Sequence, residues 1–480
     1  MYVGMLKKDT TSGLLWNGVE RVVSKGIQFV FSILIARILL PSDYGIIAIV
    51  NLLVSLSDIL TDGGLTKALI RKKEKTARDY NTVFYFNILS SCLIYALLLW
   101  LAPVVSRYYN EPLLIPVIRF GTLSLLFNSF CSIQNLCLVT EMNFRKMAHL
   151  GIVSTTISGI LAFILAKNGA GVWALVSQGL VASGLRSLLS WIIVKWRPSR
   201  SISMQALREL FSFGIPLLLS EYIVRIYNAF YTFSIGKIFS TTELGYYGKA
   251  DAFASVPSSL ISGPINMVSY PALASIQDED ERMRGNFYNM MGMTAFVIIP
   301  IMTGLALVST VLVPFVLTAK WNPIITYLKL LSLSYIFSSI AVVPQNFIYI
   351  KGKSRIVMYV QLISKIAGLV LLFILSRFSL DLVCWGILAT SIFNLLLLLI
   401  YSRSLISFSW KRLSSLFFPI IIFCTFMSLV VYMILHIVEN PFISLSLCVI
   451  MGAVTYILPA IFTKNPYWIM LKSLVPWKRN

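Results

Sequence analysis

The chain has 480 residues, 58% hydrophobic and only 12% charged, with a formal net charge of +21. A soluble globular protein is about 45–50% apolar and roughly 25% charged, so that class is excluded. What remains is a polytopic membrane protein whose short connections leave no room for a soluble catalytic domain.

A spanning helix needs about 20 mostly apolar residues. Fourteen stretches qualify, at 12–39, 43–63, 80–103, 113–138, 148–167, 171–194, 210–238, 244–272, 287–313, 324–349, 356–376, 382–402, 414–436 and 442–462. The first already holds Glu20, Arg21 and Lys25 and lacks a small-residue cleavage site, so it reads as a span rather than a signal peptide. Alternate connections carry 26 basic residues on one side and six on the other. Basic loops favour the cytoplasm, so both termini are expected there. This topology accounts for the positive charge, and no nucleic-acid partner is expected. The six cysteines lie in apolar stretches, without metal-like spacing to His149 or His436, and are expected to pack.

An internal repeat appears at an offset of 200. IARILLPSDYG (35–45) aligns with IGKIFSTTELG (235–245), pairing Arg37 with Lys237, Asp43 with Glu243 and Gly45 with Gly245. Six expected helices separate the copies. An even number preserves orientation, which predicts a pseudo-twofold axis along the membrane normal. The expected fold is all-α integral membrane, with about 14 transmembrane helices in two pseudo-symmetric six-helix lobes plus a terminal helix pair. The first lobe covers 1–197, a cytoplasmic linker 198–209, the second lobe 210–403, and the terminal pair with its tail 404–480.

Polar stripes recur in both halves. Arg21, Lys25, Gln28 and Ser32 follow an i, i+4, i+7, i+11 spacing, and so do Glu221, Arg225, Asn228 and Thr232. That spacing puts each set on one helical face. The following helices carry Asn51, Ser55, Asp58 and Asp62, aligned with Asp251, Ser255, Ser258 and Ser262. Charges within membrane helices are costly and usually face a bundle interior or a watery cavity. Eight basic residues remain inside the spans (Arg21, Lys25, Arg119, Arg186, Arg225, Lys249, Lys329, Lys365) against five acids (Glu20, Asp58, Asp62, Glu221, Asp251). A basic excess around a low-dielectric cavity attracts phosphate or carboxylate. Pairing between neighbours such as Glu221 and Arg225 is the alternative role. Helices 13 and 14 hold no embedded acidic or basic residue and are expected to face lipid or bind a lipid tail rather than line the cavity.

The stretches IARILLPSDYGIIAIV (35–50) and DGGLTKALIRKKE (62–74) resemble the N-terminal signature of Wzx-type polysaccharide exporters, of the multidrug/oligosaccharidyl-lipid/polysaccharide superfamily. The resemblance extends over the whole chain in length and helix number. It implies a flippase, not an enzyme, that moves undecaprenyl-diphosphate-linked oligosaccharides across the bacterial inner membrane for O-antigen or exopolysaccharide synthesis. It also implies a cationic lumen between lobes. The candidate substrate-binding residues are then Arg21, Lys25, Arg119, Arg186, Arg225, Lys249, Lys365, Gln28 and Asn228, with Tyr222, Tyr227, Asn228 and Tyr231 suited to sugar. Asp58, Glu221 and Asp251 are candidates for coupling to H+ or Na+. No cofactor or metal is expected, and no ATP-binding P-loop is present. Polysaccharide polymerase and chain-length proteins are possible partners besides membrane lipids. A lipid II flippase and a cation-coupled multidrug exporter of the same superfamily are the alternatives; the basic excess disfavours the second.

Overall fold

The computed structural model describes residues 23–72, 74–141, 143–274, 276 and 279–474; the side chains of 144, 213, 216–224, 262–272, 274, 473 and 474 lie outside the described set. Among the described residues every regular element is helical. In chain order these are α1 (23–38), α2 (Pro41–Asp62), α3 (Leu65–Arg71), α4 (Ala77–Tyr109), α5 (Leu114–Gly121), α6 (Ser124–Phe130), α7 (Ser132–Thr140), α8 (Phe144–Lys167) and α9 (Val172–Ile193). There follow α10 (Met204–Ile238), α11 (Thr241–Ala274), α12 (Asp280–Leu317), α13 (Ile324–Ile350), α14 (Ser354–Leu375), α15 (Leu380–Ile406), α16 (Trp410–Ile437), α17 (Pro441–Phe462) and α18 (Pro466–Leu474).

Ten of these are long and apolar enough to cross a membrane, and an eleventh crossing forms if one bent pair counts as a single span. Helices α1, α10 and α11 occupy the places of the other three expected spans, and they carry three of the four polar stripes. The protein is a multi-pass membrane protein.

The stretch 113–138, expected as one span, is broken into α5, α6 and α7, with a 43° bend between Leu114–Phe130 and Ser132–Thr140. Hydroxyls at the breaks bond back to the helical ladder. Thr122 donates to the Ile118 carbonyl at 2.7 Å, Ser124 to Gly121 at 2.8 Å, Ser129 to Leu125 at 3.0 Å and Ser132 to Ser129 at 2.9 Å. Such back-bonding competes with the helical ladder and bends it.

Packing divides the chain into two compact units, ending and starting at Gly245 and Tyr246. This boundary lies beyond the expected 198–209 linker because α10 packs along α2, α3 and α4. In the first unit α8 pairs with α9, and α4 with α5 and α6. Phe84, Ile133, Leu65, Leu69 and Leu210 form a buried cluster where α3, α4, α7 and α10 meet. Gly64, in the left-handed conformation at φ 73°, lets the chain approach the Gly214 backbone so closely that a Cβ would overlap its carbonyl oxygen. The connection between α9 and α10 is strapped to the start of α4. Asn81, 1% exposed, donates through Nδ2 to Ser199 Oγ at 2.6 Å and Ser201 Oγ at 2.8 Å, and accepts from the Ser199 N–H at 3.0 Å.

In the second unit α13 packs against α12 and α15, and α16 against α12 and α17. Phe287 centres its core, edge-on to Phe347 at 5.2 Å and stacked on Phe408 at 4.9 Å.

Candidate functional site

The first unit gathers polar groups around Asp58 of α2. Asn128 of α6 hydrogen-bonds the Asp58 carboxylate, and Arg225 of α10 acts on it electrostatically. Cys131 lies in the fields of both Arg186 of α9 and Asp58. Its thiol donates to the Asn128 carbonyl at 3.4 Å and accepts from Asn135 Nδ2 at 3.3 Å. Four helical segments thus bring two guanidinium groups and one carboxylate into one neighbourhood. Both Arg186 and Arg225 are exposed rather than enclosed. Among the described side chains, two cations face one anion here, a balance that suits an anionic group. Asp62, next on the same stripe, serves the backbone instead: it accepts from the Thr66 N–H at 3.3 Å and from the Thr66 hydroxyl at the start of α3.

The remaining expected residues of this unit fall as follows. Lys25 and Gln28 are exposed on α1, and Asn228 is exposed on α10 one turn from Arg225. Arg119 is exposed on the last turn of α5, and its carbonyl accepts the Tyr95 hydroxyl at 3.2 Å. Tyr227 donates to the Tyr231 hydroxyl at 3.3 Å, giving an aromatic pair beside Asn228. Arg21 and the Glu221 and Tyr222 side chains lie outside the described residues.

In the second unit Lys249 is not presented as expected. It is 3% exposed, with its ammonium 5.9 Å from the Trp321 ring and 6.0 Å from Phe253. An aromatic enclosure stabilises a cation where it stands and takes it out of reach of a large ligand. Lys365 is half-buried on α14. Asp251 of α11 accepts the Tyr335 hydroxyl at 2.9 Å, and Ser258 bonds Ser339 at 2.8 Å. The α11 stripe therefore faces α13 within its own unit, whereas the α2 stripe meets α6 and the field of α10.

Sequence reasoning missed Asn128, Cys131 and Tyr335. A signal existed for the first two: Ser124, Asn128, Cys131 and Asn135 repeat the spacing of the other stripes. Tyr335 carries no such mark beyond its setting between Ser334 and Ser338.

The family described as "Polysaccharide biosynthesis protein" matches residues 34–326. The lipopolysaccharide biosynthesis protein WzxC of Escherichia coli (strain K12) is 29% identical over 335 residues, 68% of this chain and 67% of that protein. The teichuronic acid biosynthesis protein TuaB of Bacillus subtilis (strain 168) is 25% identical over 401 residues, 82% of each chain. Among solved structures, the lipid II flippase MurJ in an inward closed conformation shares the fold, with a TM-score of 0.78 at 16% identity, covering 94% of this chain and 99% of that one. With the family match running through more than half of its residues, the chain belongs to the polysaccharide biosynthesis protein family.

Proposed function

We propose that this protein is a flippase that carries undecaprenyl-diphosphate-linked oligosaccharide repeat units from the cytoplasmic to the periplasmic leaflet of the bacterial inner membrane, for O-antigen or exopolysaccharide synthesis. The observation that carries the reading is the grouping of Arg186 and Arg225 around Asp58 inside a multi-pass bundle. A diphosphate sugar head cannot cross hydrocarbon unaided, while a polyprenyl tail stays in lipid. Exposed guanidinium groups match a diphosphate by paired, charge-assisted hydrogen bonds. Asn228 and the Tyr227–Tyr231 pair suit sugar hydroxyls and ring faces. Family membership and the surface-polysaccharide roles named for the two relatives support the same substrate class.

In this reading both termini are cytoplasmic, following the basic connections, and no covalent chemistry is performed. Alternating exposure needs an energy source that distinguishes two states, and an ion gradient acting on embedded carboxylates such as Asp58 or Asp251 supplies it. Polysaccharide polymerase and chain-length proteins would take over the product.

The test is mass spectrometry of undecaprenyl-diphosphate-linked sugars in cells with and without the gene. Accumulation of one repeat unit together with loss of surface polysaccharide is expected. An unchanged lipid-linked pool with normal surface polysaccharide would overturn the reading in favour of drug export.

A further inference from the structure

The second unit holds a seam of hydroxyl groups that the substrate reading does not use. Asp251 lies ten residues into α11, Tyr335 eleven into α13 and Ser391 eleven into α15. These three helices start at the same end of the unit, so each residue is about 15 Å along its helix. At that depth the Tyr335 hydroxyl donates to Asp251 Oδ1 at 2.9 Å and is itself within hydrogen-bonding reach of Ser255. Ser334 bonds Ser391 at 2.7 Å, and Ser338 donates to Ser391 at 3.3 Å. Deeper still, two turns past Asp251 and one past Tyr335, Ser258 meets Ser339 at 2.8 Å.

We propose that Asp251, held by the Tyr335 hydroxyl within this serine-lined seam, is a proton-binding site inside the second unit. An ionised carboxylate at membrane depth is rare and functional by default. Here, among the described residues, it is met by a phenol and by no salt-bridged basic group. Uptake converts the carboxylate to a carboxylic acid; the proton comes from water and no other bond changes. Tyr335 fixes the carboxyl orientation in both states, and the serine hydroxyls, which both donate and accept, continue the hydrogen-bonded path. The other titratable groups acting on this neighbourhood are Asp381 and Cys384 of α15, with Lys249 half a turn earlier on α11. A divalent metal would need several carboxylates together, and among the described residues no such cluster of His, Cys, Asp or Glu occurs. That this proton drives transport rests on the flippase reading; that it binds does not.

The experiment is infrared difference spectroscopy of the purified full-length protein in lipid, titrated with acid and base and with sodium chloride, with no substrate added. The wild type is expected to show a protonated-carboxyl band that rises on acidification. Asp251→Asn should lose that band. Tyr335→Phe should keep it at a shifted frequency, because one hydrogen bond to the carboxyl is gone while the ring still packs. A band that survives unchanged in Asp251→Asn overturns the proposal. So does a carboxylate signal that answers to sodium and not to pH, which would make this a metal-cation site.

Discussion

Gly45 and Gly245 make the same contact in opposite directions: Gly45 rests against the Thr241 carbonyl, and Gly245 against the Pro41 carbonyl. Residues 41 and 45 are the repeat equivalents of 241 and 245, so the two contacts are reciprocal, and both lie within the first unit. A Cβ at either position would overlap the facing backbone oxygen. A backbone atom cannot step aside as a flexible side chain can. Gly45→Ala and Gly245→Ala are each expected to cost about 1–3 kcal/mol. The double variant should cost less than the sum, because either substitution already separates the helices. Thermal unfolding of the purified protein checks this, with Gly179→Ala, which has open space around it, as the reference. Equal effects at all three positions would refute the close-contact account.

The Asn81 strap predicts where the chain becomes cleavable. Asn81→Leu removes the two donors and one acceptor that hold Ser199 and Ser201. Leaving such partners unpaired costs about 1–3 kcal/mol. Trypsin should then cut after Arg200 several times faster, while the overall unfolding temperature changes less. No change in cleavage would mean that the strap is held by other contacts.

Lys72 and Asp79 test a charged contact outside the spans. Lys72 Nζ lies 2.9 Å from Asp79 and 3.6 Å from Glu209. The Asp79 hydrogen bond raises the Lys72 pKa above the usual lysine value, against a smaller opposing effect of burial. A raised lysine pKa stabilises fully below the unfolded-state value and is lost as pH rises through the folded-state value. Lys72→Met is therefore expected to lower stability by less than about 1 kcal/mol at neutral pH, with the difference vanishing in strong alkali. Asp79→Ala should cost more, because Asp79 Oδ2 also accepts from the Thr76 N–H at 2.8 Å and closes the start of α4. Denaturation curves at neutral and alkaline pH separate the two; a larger loss for Lys72→Met would contradict the assignment.

Arg225 and Lys249 separate presentation from enclosure. Arg225→Ala is expected to reduce export about tenfold or more, as loss of one charge-assisted contact implies, with normal membrane levels. Lys249→Met should leave export near normal per folded molecule. Surface polysaccharide normalised to membrane-inserted protein is the readout. The reverse order would move the site to the second unit.

Much of this was legible in the sequence because hydrophobic length and the offset repeat are properties of local residue order. Among the described residues every expected span falls on a helix or helix group, the first through 23–38 alone, and the aligned Gly45 and Gly245 face residues 241 and 41. The break around Cys131 was not legible, since hydrophobicity alone does not register hydroxyls bonding back to the ladder. The enclosure of Lys249 depends on Trp321, 72 positions away and fixed by a short 3-10 turn. The α11 stripe showed that one face was polar, but only packing shows that α13 is what it faces.

The placement of the unit boundary at Gly245 bears on how the chain is made. The first unit takes α10 and the opening turn of α11 into its own packing, so its last contributors are residues near 245. Once those residues have entered the membrane, the unit's described contacts are all available to it, while the remainder is still to be synthesised. A chain divided after residue 245 and expressed as two coding segments keeps each unit's internal contacts intact, whereas a division at the 198–209 connection separates α10 from the helices it packs against.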